Sequence, residues 1–515
     1  MSRKPGPAGS SARRACAVVA SLCSLAGGVA ACGTNGGGQK AQAGGPILVT
    51  VDPAHPGATL PTDFLGLSFE ASVLGSTLFD PVRSDLSILL RALGTGRLRF
   101  GGNSLDRVTA WTAEAATPLP GWASSRVSPA DLERLAGLAT ATGWKVDLGV
   151  TVGHPDAGAA ANEALAAVRL LGEGLGTIQI GNEPDLLGDV RPAYSEAGYR
   201  ADVAAYRASI AAVAPDVQVS GPDTAVAARL ASYGSDDGAG LAFFTQHFYP
   251  LTRCAGRRPT IDQLLSVSTL EAEKRVASTA VVASHAAGLP VRLDETNSAS
   301  CGGQDGVSNT LGSALWIIEY LATVAQRGVD GVGIQGGLAA CRGYTPICVP
   351  GAKGAARGTA PGIDAVADSS LGAARSADGR LAAQPDFYGL LVIHELEGGQ
   401  WLPCTGTPPG RAWEAAVKMP DGAVRVVIVN PSPSTATDIS LDVPGHGGPA
   451  SVQWLTGPSL GATAAVRLGG AEVGADGAWR PFADAPLDSG GTGVRVTVPA
   501  ATAALVTLPA SPSGP

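Results

Sequence analysis

The sequence predicts an α/β protein: a (β/α)8 TIM barrel with a C-terminal β-sandwich domain. Three observations predict it. Eight short apolar runs alternate with helical patterns over about 300 residues. Several of those runs are unbroken rather than alternating, as expected for parallel strands buried on both faces. From about Gly398 onward, helical periodicity gives way to short β-rich runs between Gly, Pro and Asn turns.

The expected strands are Phe64–Glu70, Arg97–Phe100, Lys145–Val152, Thr177–Gly181, Val217–Gly221, Phe243–Phe248, Val291–Glu295 and Gly331–Gln335. Ser128-Pro129-Ala130-Asp131 announces a helix, with a Ser cap, Pro at the first helical position and an acid in the first turn. Leu132, Leu135, Leu138 and Ala139 form its apolar stripe, and Gly143 stops it. Ser195–Ala214 and Asn309–Gly328 read as longer helices. The barrel is expected over residues 46–397 and the sandwich over 398–515, carrying Val424–Val429, Ser451–Leu455 and Val494–Val498. Residues 46–60, with Ile47–Val51, are candidates for an extra sandwich strand. The sandwich is expected to cap the barrel.

The first 31 residues read as a leader. Arg3, Lys4, Arg13 and Arg14 precede an uncharged apolar stretch, Ala15–Ala31. Val29-Ala30-Ala31-Cys32 resembles a bacterial lipobox, which would place lipid on Cys32, with residues 32–45 as a Gly-rich tether. The alternative is an ordinary secretory signal. Either way the chain is expected to be exported, membrane-anchored through Cys32 or secreted. Removing residues 1–31 leaves 32 Lys+Arg against 44 Asp+Glu, a net charge of −12. That balance argues against nucleic acid and against a broad surface for sulfated polyanions.

Five cysteines remain beyond Cys32. Cys341 and Cys348 bracket a short loop and are expected to pair. Cys254 follows the sixth strand and Cys301 the seventh, so both lie on one barrel face and could pair too. Cys404 would then be free. No metal or other cofactor is expected, because no histidine sits near these cysteines at ligand spacing.

The chemistry lies at the strand tips. Asn182-Glu183-Pro184 ends the fourth strand, and Glu295 ends the seventh. Two carboxylates facing each other across a barrel mouth are what a retaining glycosidase needs: one donates a proton to the leaving oxygen, the other attacks the anomeric carbon. Either glutamate alone would be an ordinary surface residue. The other tips are polar: Glu70, then Gly101-Gly102-Asn103, then Gln246-His247-Phe248-Tyr249, then Gln335. Such groups suit a hydroxyl-rich ligand. For His247, a buried and satisfied histidine is as good an account as a sugar contact.

LGLSFE with Glu70, LRFGGNSLDR, GNEPD, QHFYP, LDETNSASCGG and the run from Gln335 to Tyr344-Thr-Pro-Ile together resemble glycoside hydrolase family 79, which contains β-glucuronidases and heparanase. The resemblance runs in order from about Phe64 to Leu390. It implies a retaining mechanism with Glu183 as acid/base and Glu295 as nucleophile. It implies that Asn182 contacts the 2-hydroxyl and that Glu70 and Asn103 line the sugar pocket, with His247, Tyr249 and Gln335 near it. It also implies that backbone amides of Cys301, Gly302 and Gly303, helped by Tyr344, hold the glucuronate carboxylate without Lys or Arg. Several members carry an aromatic residue where Ser300 or Cys301 stands here. The partner implied is a carbohydrate containing glucuronic acid, bound by a monomer. The alternatives are an endo-acting heparanase- or hyaluronidase-like hydrolase, a sugar such as 4-O-methyl-glucuronate or galacturonate, and a non-catalytic surface glycan-binding lipoprotein.

Overall fold

The computed structural model describes residues 46–234, 240–352, 379–406, 411–446, 448–487, 489–490 and 493–510. The leader 1–31, the tether 32–45 and Cys32 lie outside the described residues. Among those described, no helix is long and apolar enough to cross a membrane.

Eight parallel strands close into a barrel: β1 (Gly66–Glu70), β2 (Arg97–Gly101), β3 (Lys145–Val150), β4 (Leu175–Ile180), β5 (Val219–Thr224), β6 (Leu241–Phe248), β7 (Val291–Thr296) and β8 (Gly331–Gln335). They follow one another in chain order around the ring, and β8 closes on β1 through Ile334–Leu67 and Gln335–Ser68. Helices between them bury one face on the barrel. The helix Pro129–Thr142 begins where the Ser128 amide donates to Asp131 Oδ2 at 2.8 Å, and it ends at Gly143 in the left-handed region. Leu132, Leu135 and Leu138 are fully buried. The longer helices span Glu196–Val213 and Leu311–Gln326.

The barrel interior is unusually polar. Alternation along β2 sends Leu98 and Phe100 one way and Arg97 and Arg99 the other. Arg97 makes a bidentate pair with Asp147 of β3, both bonds at 2.7 Å. Thr177 of β4 donates to the same carboxylate at 2.8 Å and lies 2.8 Å from Ser220 of β5. Nearer the C-terminal tips, Ser68, Arg99, Gln179 and Asp294 share one network. Buried charge is tolerable only when paired and hydrogen-bonded, as Arg97 is with Asp147 and Arg99 with Glu295.

Two further sheets make the sandwich. A seven-stranded sheet has Val424–Asn430 and Thr502–Leu508 at its centre. A five-stranded sheet pairs Ile47–Val51 with Thr437–Asp442 in parallel and with Cys404–Thr405 antiparallel. Val426 and Ile428 face the sandwich core, while Val427 and Val429 join the barrel core. The run VRVVIV is nearly all apolar because both of its faces are buried. The expected fold class therefore stands: a closed barrel with a C-terminal β-sandwich packed on it.

Two disulfides hold the loops beyond the strand tips. Cys254 is bonded to Cys301 and Cys341 to Cys348, as expected. Cys404 is free and half-buried, and burial pushes its thiol up to about 12. Two bridges fit an extracellular or exported protein.

Candidate active site

Glu183 follows β4 in a left-handed conformation, φ 46° and ψ 58°. Such backbone is costly for a residue with a Cβ and persists where its surroundings hold it. Its amide donates to the Asp223 carbonyl at 2.9 Å, and Pro184 starts the 3-10 turn Pro184–Asp189 behind it. Asp106 secures the same corner. It is fully buried and accepts from the amides of Val152 (2.6 Å), Gly153 (2.8 Å) and Asn182 (2.7 Å). One carboxylate thereby pins the tips of β3 and β4.

Glu295 sits on β7 and is 4 % exposed. Arg99 donates to its Oε2 at 2.8 Å and Tyr249 to its Oε1 at 3.0 Å. One oxygen each of Glu183 and Glu295 and a nitrogen of His247 lie within 4.8 Å of one another. Burial alone would raise Glu295, but His247 and Arg99 outweigh it and hold the carboxylate below its ordinary value. For His247, burial acts downward; Glu295 and then Glu183 overcome it and raise the ring to about 9. Glu70 goes the other way. Burial, then the charge of Glu295, lift it to about 7, against the Ser104 amide, which donates to it at 2.8 Å.

Arg99 is the hub of the site. It is 2 % exposed and donates to Glu295, to Asn182 Oδ1 at 2.7 Å, to Gln179 at 3.0 Å and to Ser68 at 3.1 Å. Asp294 and Asp223 stand 3.6 and 3.7 Å from it. Burial with the facing Asp294 raises Asp223 to about 8. Glu183, His247 and Glu295, or Asp223, His247 and Asp294, converge closely enough to ligate a cation. The Arg99 guanidinium supplies positive charge beside Glu295, Asp294 and Asp223, while both Asp223 oxygens, Asp294 Oδ1 and His247 Nε2 have no hydrogen-bond partner among the described residues.

The structure brings most of the expected residues together and alters three. His247 is 2 % exposed, with Nδ1 at 3.2 Å from Glu183 and 3.6 Å from Glu295, and Nε2 at 3.7 Å from Asp294. It lies among the acids of the site, and its Nε2 has no hydrogen-bond partner among the described residues. Asn103 begins the helix Asn103–Val108, and its Oδ1 accepts from Arg107 at 2.9 Å, so it is engaged within the protein. The Gly303 amide, expected to bind an anion, donates to the Ala299 carbonyl at 3.1 Å. The Tyr344 hydroxyl is within hydrogen-bond reach of the Tyr249 hydroxyl and the Gly302 backbone. Tyr249 and Tyr344 stack with centroids 6.1 Å apart. Asn182 Nδ2 and Gln335 Oε1 are buried without a partner among the described residues.

Four residues that organise the site carry no expectation from sequence: Arg99, Asp106, Asn297 and Asp294. Asn297 donates from Nδ2 to the carbonyls of Gln335 and Tyr344, each at 2.8 Å, joining the loops after β7 and β8. The signal for Arg99 was present in RLRF, where arginines two apart on a buried strand must both point into the barrel.

No family model matches the chain, and comparison with curated proteins finds no match. Solved structures do resemble it. A 4-O-α-L-rhamnosyl-β-D-glucuronidase from Fusarium oxysporum 12S superposes with a TM-score of 0.68 at 18 % identity, covering 89 % of this chain and 100 % of that one. A GH51 arabinofuranosidase from Xanthomonas axonopodis pv. citri gives 0.64 at 14 %, covering 90 % and 99 %. A monomeric β-xylosidase from Caulobacter crescentus CB15 gives 0.57 at 16 %, covering 90 % and 100 %. At these identities the likeness establishes a shared architecture, the one seen in these glycoside hydrolases.

Proposed function

We propose that the protein is a retaining glycoside hydrolase that removes terminal β-linked glucuronic acid, of the kind found in glycoside hydrolase family 79. The observation that carries this is the approach of Glu183 and Glu295, oxygens within 4.8 Å at opposed strand tips. Retaining enzymes hold their carboxyl groups roughly 5 Å apart, and the close approach of these oxygens supports that spacing. Glu295 is kept ionised by Arg99 and Tyr249, which suits a nucleophile. In the first step Glu295 attacks the anomeric carbon while Glu183, in its acid form, protonates the departing oxygen. In the second, Glu183 takes a proton from water, which displaces Glu295. Asn182 Nδ2 is the donor left for the 2-hydroxyl. The Gly302 amide and the Tyr344 hydroxyl supply the donors for the carboxylate. Neutral donors suffice there because a carboxylate needs hydrogen bonds at its oxygens, not necessarily a cation.

The test is stereochemical. Proton NMR of aryl β-glucuronide hydrolysis should show the β-anomer first, and Glu295→Gln should abolish glycosyl-enzyme formation. An α-anomer appearing first would overturn the assignment of Glu295 as nucleophile.

A further inference from the structure

In the closed ring of eight strands, β3 and β4 stand opposite β7 and β8. The role of that far rim rests on the proposed function, in which the loops after β7 and β8 grip the sugar at its carboxylate. The loops on the far side then receive the leaving group. Those loops are built, not loose. Arg107 clamps Asp189 with bonds of 2.9 and 3.0 Å and also bonds the Leu186 carbonyl at 3.2 Å. The segment after β2 is wound around Arg126, which donates to the carbonyls of Ala115 (2.8 Å) and Thr117 (2.7 Å). It is tied down again by Trp111, whose Nε1 donates to Asn162 at 2.8 Å.

On this rim Trp122, from the β2 segment, lies flat on His154, which follows β3. Their centroids are 3.9 Å apart and the planes 12° from parallel. Both rings are half-exposed. His154 directly follows the Val152–Gly153 turn that Asp106 anchors to Asn182, so the stack is tied to the corner carrying Glu183. Leu186, three residues beyond Glu183, is 51 % exposed. Neither the hydrolytic step nor carboxylate recognition uses these groups. A rigid aromatic face, with an exposed Leu on the loop after β4, offers apolar area at little entropic cost. We propose that Trp122, stacked on His154, is the platform on which the leaving group rests. That group carries a ring with a flat apolar face, aryl or pyranose, directly beyond the scissile bond.

The experiment compares wild type, Trp122→Ala and Trp122→Phe on three β-glucuronides: an aryl glycoside, a disaccharide and the methyl glycoside. Trp122→Ala should lower kcat/KM by roughly tenfold where the leaving group has a ring. It should leave the methyl glycoside and inhibition by free glucuronate within about twofold. Trp122→Phe keeps a flat ring and should recover most of the loss. A fall confined to the aryl glycoside assigns an aryl leaving group; a fall on the disaccharide as well assigns a sugar ring. An equal fall on all three, or none on either ring-bearing substrate, overturns the platform. A wild type that prefers glucosides would refute the uronate assignment instead, and the same contrast is then read on the glucoside series. Hydrolysis of no glycoside at all overturns both.

Discussion

Tyr249→Phe removes one oxygen and leaves the ring that stacks near Tyr344 in place. The lost atom is the donor to Glu295 Oε1 at 3.0 Å. A hydrogen bond to a charged group contributes roughly 1.5–3 kcal/mol, and each pKa unit corresponds to about 1.4 kcal/mol. The bond favours the ionised form of Glu295, whose pKa is already depressed. Its removal should therefore raise that pKa. The nucleophile is active only when ionised, so activity is lost as pH falls through its folded-state value. The acid limb of kcat/KM, which reports the free enzyme, should move to higher pH, while the rate on the plateau changes far less. Initial rates on an aryl β-glucuronide across the acid range decide it. A uniform fall in rate with an unmoved acid limb would mean that Tyr249 serves the substrate and not Glu295.

Tyr344→Phe should lower kcat/KM on an aryl β-glucuronide by roughly one to two powers of ten and spare the matching glucoside; an equal loss on both would remove Tyr344 from carboxylate recognition. Glu163, 6 % exposed on the helix Ala157–Leu171, has its pKa raised by burial to about 8 from 4.5. The folded state thus keeps a proton that the unfolded state releases, so this stability is full below 4.5 and is lost as pH rises through about 8. The penalty at pH 7 is about 3 kcal/mol. Glu163→Gln should raise Tm in melts near pH 8 and change it little near pH 4; equal gains at both would point to packing.

The barrel was readable because its strands are buried on both faces, and eight short apolar runs, several of them unbroken, survive even in a sequence rich in Ala and Gly. The Cys254–Cys301 bridge was readable for the same reason: once strand order is known, loops after neighbouring strands are neighbours. What stayed hidden depends on side-chain direction at the tips. QHFYP shows a histidine and a tyrosine near the mouth. It does not show that His247 turns to Glu183 and Asp294 while Tyr249 turns to Glu295. SCGG announces backbone donors, but only the local turn reveals that the Gly303 amide closes on Ala299. Asp106 reads as one acid in a helical turn, because its three backbone partners come from two other strand ends.

The loops after β7 and β8 meet backbone to backbone. A Cβ on Gly303 would fall 2.7 Å from the Tyr344 amide nitrogen, and one on Gly343 would fall 2.1 Å from the Gly302 carbonyl oxygen. The loop after β8 is closed by its own Cys341–Cys348 bridge, the loop after β7 is stapled through Cys301 to Cys254 after β6, and Asn297 bonds across the β7 and β8 loops. Any side chain larger than hydrogen at either glycine would force the two segments apart. They therefore form a single exchangeable cassette. An engineer altering which acid group the pocket accepts would have to transplant both loops with their three cysteines and keep Cys254 after β6 as the partner of Cys301, because either loop alone arrives without the surface it was moulded against.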